Sequence, residues 1–125
     1  MAKVSGLPTT LTVGGNNISN DVLSLSFDTP FAEQDVTGLD KSAIERILLR
    51  ADCTGSINGV FNSTASMSHA TFKAPGVKTF VIALPGATLT FSAVTTNYAI
   101  ALGADGSLTW SVNFGLSTGT AAVWS

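Results

Sequence analysis

Hydrophobic and polar positions alternate with a period of two along most of this chain, the spacing of strands with one buried face. Between Asp21 and Asp28, Leu23, Leu25 and Phe27 fall on one side and Ser24, Ser26 and Asp28 on the other. Ser56 to Phe61 repeats the pattern, with Ile57, Gly59 and Phe61 opposite Ser56, Asn58 and Val60. Phe80, Ile82 and Leu84 mark a further strand, ended by the turn pair Pro85-Gly86. Leu89, Phe91 and Ala93 begin another, and Tyr98, Ile100 and Leu102 continue the alternation. Asp105-Gly106 supplies the residues of a tight hairpin. The final strand is the clearest, with Leu108, Trp110, Val112, Phe114 and Leu116 on its core side. The expected fold is all-β with one short helix, an antiparallel β-sandwich or barrel.

The helix is expected where the period changes. Ser42-Ala43-Ile44-Glu45 fits a capping box, in which hydroxyl and carboxylate satisfy the free N–H groups of a first helical turn. Ile44, Ile47 and Leu48 then form an apolar stripe, and Arg46 and Arg50 sit where a helix C-terminus favours positive charge. The spacing predicts a helix of roughly 8 residues that lids the barrel or packs on a sheet. No linker, repeat or low-complexity tract divides the 125 residues. They read as a single domain, 1–125, with an N-terminal arm over roughly 1–13 and a charged loop and helix over roughly 30–50.

Charge changes the picture more than length does. Asp, Glu, Lys and Arg make up 11% of the chain, where a soluble domain commonly has about a quarter. From Cys53 to Ser125 the only charged residues are Lys73, Lys78 and Asp105. A monomer normally keeps its surface soluble with charge. So long a neutral stretch of Ser, Thr, Ala and Gly implies a surface covered by other chains. Six basic against eight acidic residues give a net charge of −2, which excludes tight gripping of nucleic acid through many phosphates. Apolar runs are only a few residues long, so no helical membrane insertion is expected. Residues 1–5 carry no apolar stretch of a secretory signal, and the single Cys53 fits folding in a reducing compartment.

Catalytic chemistry is not expected. His69 is the one histidine, which cannot build a zinc cluster with an unpaired Cys53, and no nucleophile elbow supports the Ser68-His69 pair. His69 reads as a loop or surface residue. Asp28, Glu33 and Asp35 read as solvated or salt-bridged carboxylates. Neither a cofactor nor a metal is implied. Trp110 reads as core, while Trp124 and Tyr98 are the residues a carbohydrate-binding module would use to stack on sugars.

Several segments in order resemble the major tail tube proteins of long-tailed, non-contractile bacteriophages. They are Asn20-Asp21-Val22, Asp35 to Leu39 leading into Asp40 to Arg46, Gly59 to Asn62, Ala104 to Trp110, and the ending Gly119 to Trp124. The resemblance covers nearly the whole chain. It implies a virion protein made in the host bacterial cytoplasm, forming rings, commonly of six subunits, that stack into a hollow tube beside other tail proteins. Strands of neighbouring subunits would join into one inner barrel, and double-stranded DNA would pass through without specific binding. On this reading Phe31, Glu33, Asp35, Asp40, Lys41, Arg46 and Arg50 are candidates for subunit and ring contacts, joined by the N-terminal segment. Asp21 and Asp28 are candidates for lumen polarity. A capsid decoration or tail-tip protein, forming trimers or single rings, is the first alternative, and a monomeric carbohydrate-binding β-sandwich module is the second.

Overall fold

The computed structural model describes residues 5–125, so the first four residues of the expected N-terminal arm lie outside it. Along the chain the elements are β1 (Thr10–Val13), β2 (Asn16–Asn17), a 3-10 turn (Ser19–Asp21), β3 (Val22–Asp28), β4 (Phe31–Asp35), β5 (Arg46–Ala51), β6 (Thr54–Val60), α1 (Ser68–Phe72), β7 (Gly76–Leu84), β8 (Ala87–Leu102), β9 (Leu108–Leu116) and β10 (Val123–Trp124). Eight strands form one curled antiparallel sheet in the order β2-β1-β7-β8-β9-β6-β3, with β10 beside β8. β4 and β5 form a separate two-stranded sheet. The all-β architecture with one short helix is as the alternation predicts. Thr10–Val13, expected in the arm, is instead a strand of the main sheet.

The sheet curls around a core of Leu11, Val13, Ile57, Phe72, Phe80, Ile82, Leu89, Phe91, Trp110, Val112 and Phe114. Register explains why these residues are inside. Ile57 pairs with Val112 and Gly55 with Phe114, so alternate positions of adjacent strands stack on one face. Gly59 pairs with Trp110 because the indole occupies the space a side chain would need. A Cβ at Gly59 would sit 2.6 Å from the Trp110 ring.

The structure corrects three sequence expectations. The segment around Arg46 to Arg50 is not helical but forms β5, pairing Asp35 with Arg46, Gln34 with Ile47 and Glu33 with Leu48. A helix this short is marginal in water, whereas a facing strand satisfies its backbone groups. The Glu45 N–H that the capping box assigned to Ser42 is taken instead by Thr37 Oγ1 at 2.7 Å. The helix lies elsewhere, at Ser68–Phe72, and places His69 on a helix rather than in a loop or strand. Leu23, expected inward, falls at a bulge between Val22 and Ser24 and is 67% exposed.

Tyr98 to Leu102 is not a separate strand but the far half of the 16-residue β8. Its register slips between Thr96 and Ala99, where Asn97 adopts a φ of 55°. Asn is among the few non-glycine residues that accept this conformation readily. β7 pairs with β8 only as far as Thr95, so the far half of β8 projects beyond β7 and is flanked on one side only, by β9.

Candidate assembly surfaces

Three exposed surfaces, rather than a reactive cleft, stand out from the body. The first is the β4–β5 hairpin. It brings together Phe31, Glu33, Asp35, Asp40, Lys41, Arg46 and Arg50, the seven residues singled out as contact candidates, on one projecting arm. Phe31 is 54% exposed, so it does not tuck back onto its own core. Ile44, Ile47, Leu48 and Leu49 are exposed as well. An isolated two-stranded ribbon with this much exposed apolar surface has little stability of its own in water. The one ion pair among the described residues, Arg46 Nε to Glu33 Oε1 at 3.5 Å, is solvent-exposed and adds a few tenths of a kcal/mol.

What orders the arm tip is Thr37. Its hydroxyl donates to Asp35 Oδ1 at 2.6 Å while accepting the Glu45 N–H, and the Val36 N–H donates to the Glu45 carbonyl at 2.9 Å. The Thr37 hydroxyl and N–H both stabilise the Asp35 carboxylate and hold its carboxyl below the ordinary range. That contribution is present at neutral pH and is lost as acid protonates Asp35. Thr37→Ala removes the hydroxyl's bonds to Asp35 and to the Glu45 N–H and leaves the backbone bonds in place. Hydrogen exchange at the Glu45 amide is expected to accelerate roughly fivefold or more, with amides of β9 unchanged. Unchanged exchange at Glu45 would show that the tip is ordered by something else.

The second surface is the outer face of the four strands at one end of the sheet, the far half of β8 followed by β9, β6 and β3. Cross-strand partners share a face, so the register defines what this face displays. One row runs Thr96, Asn113, Ser56, Ser26, and the next runs Ala99, Ser111, Asn58, Ser24. Ser26 and Ser56 hydroxyls meet at 3.3 Å, and the Asn58 amide donates to Ser24 Oγ at 3.1 Å. Asp28, exposed at the end of β3, is the sole charged residue of these four strand segments. They contain no Lys or Arg.

Asp21, the other candidate for lumen polarity, is corrected by the structure. It is 4% exposed, and its carboxylate accepts the Asn62 side-chain amide at 3.0 Å and the Ser68 N–H at 3.1 Å. These bonds fasten the start of α1 to the end of the 3-10 turn. Nothing in the alternation marks Asp21 as internal, because its partners lie 41 and 47 residues away.

The third surface is a pair of free edges with apolar neighbours. No backbone hydrogen bond joins the outer edge of β3 to any described residue. The opposite edge of the same four strands, the far half of β8, is open too. The β1 edge differs, since the Leu11 N–H and carbonyl are occupied by Ser19 Oγ and the Ile18 N–H. Beside β3, on the core side, an open groove of about 420 Å³ is lined by Leu7, Leu11, Leu23, Leu25, Phe27 and Leu84, with three hydroxyl residues among them. At the other edge Ile100 and Leu102 are 47% and 73% exposed.

The residues considered for chemistry are tied up structurally. His69 Nδ1 lies 3.1 Å from the Tyr98 hydroxyl, and its ring packs against Phe61. Cys53 is fully buried, and burial together with the charges of Asp52 and Asp28 pushes its thiol up to about 11. Trp110 is buried as expected, with its indole N–H on the Val60 carbonyl at 2.9 Å. Trp124 is half exposed and packs on Phe27. No described group of three or more His, Cys, Asp or Glu residues could hold a metal ion.

No protein-family model and no curated protein matches the chain. Solved structures do. A chain in the virion of a native gene transfer agent particle superposes with a TM-score of 0.76 and 15% identity, over 98% of this chain and 99% of that one. A chain in the tail of an empty particle of the same kind, solved by helical refinement with C6 symmetry, gives 0.68 and 18%, over 84% and 82%. At such low identity what is shared is the fold.

Proposed function

We propose that this chain is a structural subunit of a phage-like tail tube, assembling into rings that stack into a conduit for double-stranded DNA. The observation that carries the reading is the pair of free edges on one four-stranded segment. Within that segment each strand is antiparallel to the next, so β8 and β3 run in opposite directions. When β3 of one copy meets the far half of β8 of the next, the new pair is antiparallel as well. Every copy adds four strands in the same sense, and ring closure leaves no edge exposed.

The rest of each subunit sits on the core side of these strands and is too bulky for the interior of such a ring. The Ser, Thr and Asn rows therefore face the lumen. Six copies, the symmetry of the tail named above, enclose a backbone diameter of roughly 45–50 Å, from a strand spacing near 4.8 Å and a tilt near 40°. That admits a DNA duplex. A lining without cations gives phosphates nothing to hold, and Asp28 adds a ring of negative charge. In this reading the arm bearing Phe31 to Arg50 reaches the next ring or neighbouring subunit, and other tail proteins cap the stack.

Negative-stain electron microscopy of the purified chain over a concentration series tests the proposal. Rings with a central hole, and hollow tubes at higher concentration, are expected. Trimers or closed single rings that never stack would favour a capsid decoration or tail-tip protein, and monomers at every concentration would overturn the reading.

A further inference from the structure

Exposed apolar side chains at one free edge and a groove with a row of apolar residues beside the other are too well placed to be independent. We infer that Ile100 and Leu102, at the β8–β9 hairpin, insert into the groove beside β3 of the adjacent copy, so that each subunit interface is a knob and a socket as well as a strand pair. The inference rests on the ring-forming reading above and deepens it by naming the side chains that seal the ring.

The face on which these residues lie follows from register. Ile100 pairs with Trp110 and Trp110 with Gly59, a row that points into the core. Leu102 pairs with Leu108, two residues further along the same face. Ile100 and Leu102 are therefore core-side residues that have run past the end of their own core. On β3, Leu25 and Phe27 belong to the core side too, through their pairing with Ile57 and Gly55. Strands joined edge to edge share faces, so pairing β8 with the neighbour's β3 places Ile100 and Leu102 over the neighbour's Leu25 side.

Val22, Leu23, Leu25 and Phe27 all line the groove, so the socket extends along most of β3 and accommodates a stagger of a few residues between copies, as a tilted barrel requires. The groove is open to solvent and has room for two branched side chains. Among the described residues no element of the same subunit fills it, and the knob and the socket lie on opposite edges of one segment, so a copy's own knob does not reach its own groove. The contact is head-to-tail, the type that closes into rings, and its apolar area is continuous with the strand pairing of the proposed ring.

Two single substitutions at exposed positions test this without disturbing the core. Leu102→Asp destroys the knob and leaves the socket, while Leu23→Asp puts a charge in the socket and leaves the knob. Circular dichroism and thermal midpoints near those of the wild type confirm that both fold. Each variant alone is expected to stay monomeric in sedimentation velocity, needing a protein concentration roughly a hundredfold higher than the wild type to form rings. An equimolar mixture is expected to yield a dimer and nothing larger, because only one productive interface exists between the two. Rings from either variant at wild-type concentration, or a mixture that remains monomeric, overturn the inference while leaving the subunit reading intact. A wild-type chain that forms no ring overturns the subunit reading itself, and the knob and socket with it.

Discussion

Trp110→Ala is expected to remove about 3–5 kcal/mol of folding stability, enough to bring a domain of this size close to unfolding at ordinary temperature. The indole is 2% exposed and lies against Phe72 at a ring separation of 5.2 Å and Tyr98 at 6.3 Å. Its β9 backbone is also held between β6 and β8. Truncation leaves a cavity beneath Gly59, which has no side chain to fill it. The Val60 carbonyl also loses its indole N–H donor. The thermal midpoint should fall by roughly 10–20 °C, followed by far-UV circular dichroism at a concentration below assembly. Trp124→Ala is the internal comparison. That ring is 48% exposed and touches Phe27 from the end of the chain, so its loss should cost about 1 kcal/mol or less. Equal losses at the two positions would show that Trp110 does not anchor the core as the packing indicates.

That contrast between the tryptophans is visible in the sequence, since Trp110 shares its parity with Val112 and Phe114 while Trp124 has no such frame. The same parity reveals most strands of the sheet, and the turn residues reveal the hairpins at Pro85-Gly86 and Asp105-Gly106 but not the one at Gly14-Gly15. It fails where a decision depends on a distant partner. Ile44, Ile47 and Leu48 satisfy a helical stripe and a strand equally well in isolation. The choice is made by Glu33, Gln34 and Asp35, which pair with Leu48, Ile47 and Arg46 and leave Ile44 just outside the strand. Asp21 looks like any polar residue before a strand until Asn62 and Ser68 arrive from beyond β6. The arm is legible as a charged segment because its seven candidate residues fall within one stretch of the chain, Phe31 to Arg50. The free edges were not legible at all. Tyr98, Ile100 and Leu102 alternate just as core residues do, and only the point at which β7 stops pairing with β8, at Thr95, leaves the last two uncovered. Ser, Thr and Asn opposite the core residues did indicate an uncharged face, though not the side of the assembly to which it belongs.

Placing a lysine on that face has the largest consequence for function. Asn113→Lys is expected to leave folding intact, since Asn113 is exposed on β9 and its side chain takes part in none of the hydrogen bonds described. It lies between Ser56 and Thr96 in the middle of the row that the proposed ring turns toward its lumen, so on that reading each ring would gain an inward ring of positive charge. Wild-type tubes offer phosphates no cation on this face and should retain no linear duplex. Lysine rings stacked along a tube would contact many phosphates at once. For about 6–10 such contacts, affinity falls by roughly 10³–10⁵ between 50 and 200 mM salt. Variant tubes should therefore co-sediment with duplex DNA at low salt and release it at high salt. Duplex blocked at both ends by groups wider than the lumen separates inside from outside. If the blocked duplex is retained as well as the open one, the lysines lie on the outer wall and the rows of Ser, Thr and Asn do not line the conduit. If only the open duplex is retained, passage of DNA through the wild-type tube depends on the absence of cations from four strands. The scarcity of charge after Cys53 would then be a requirement of transport as well as of assembly.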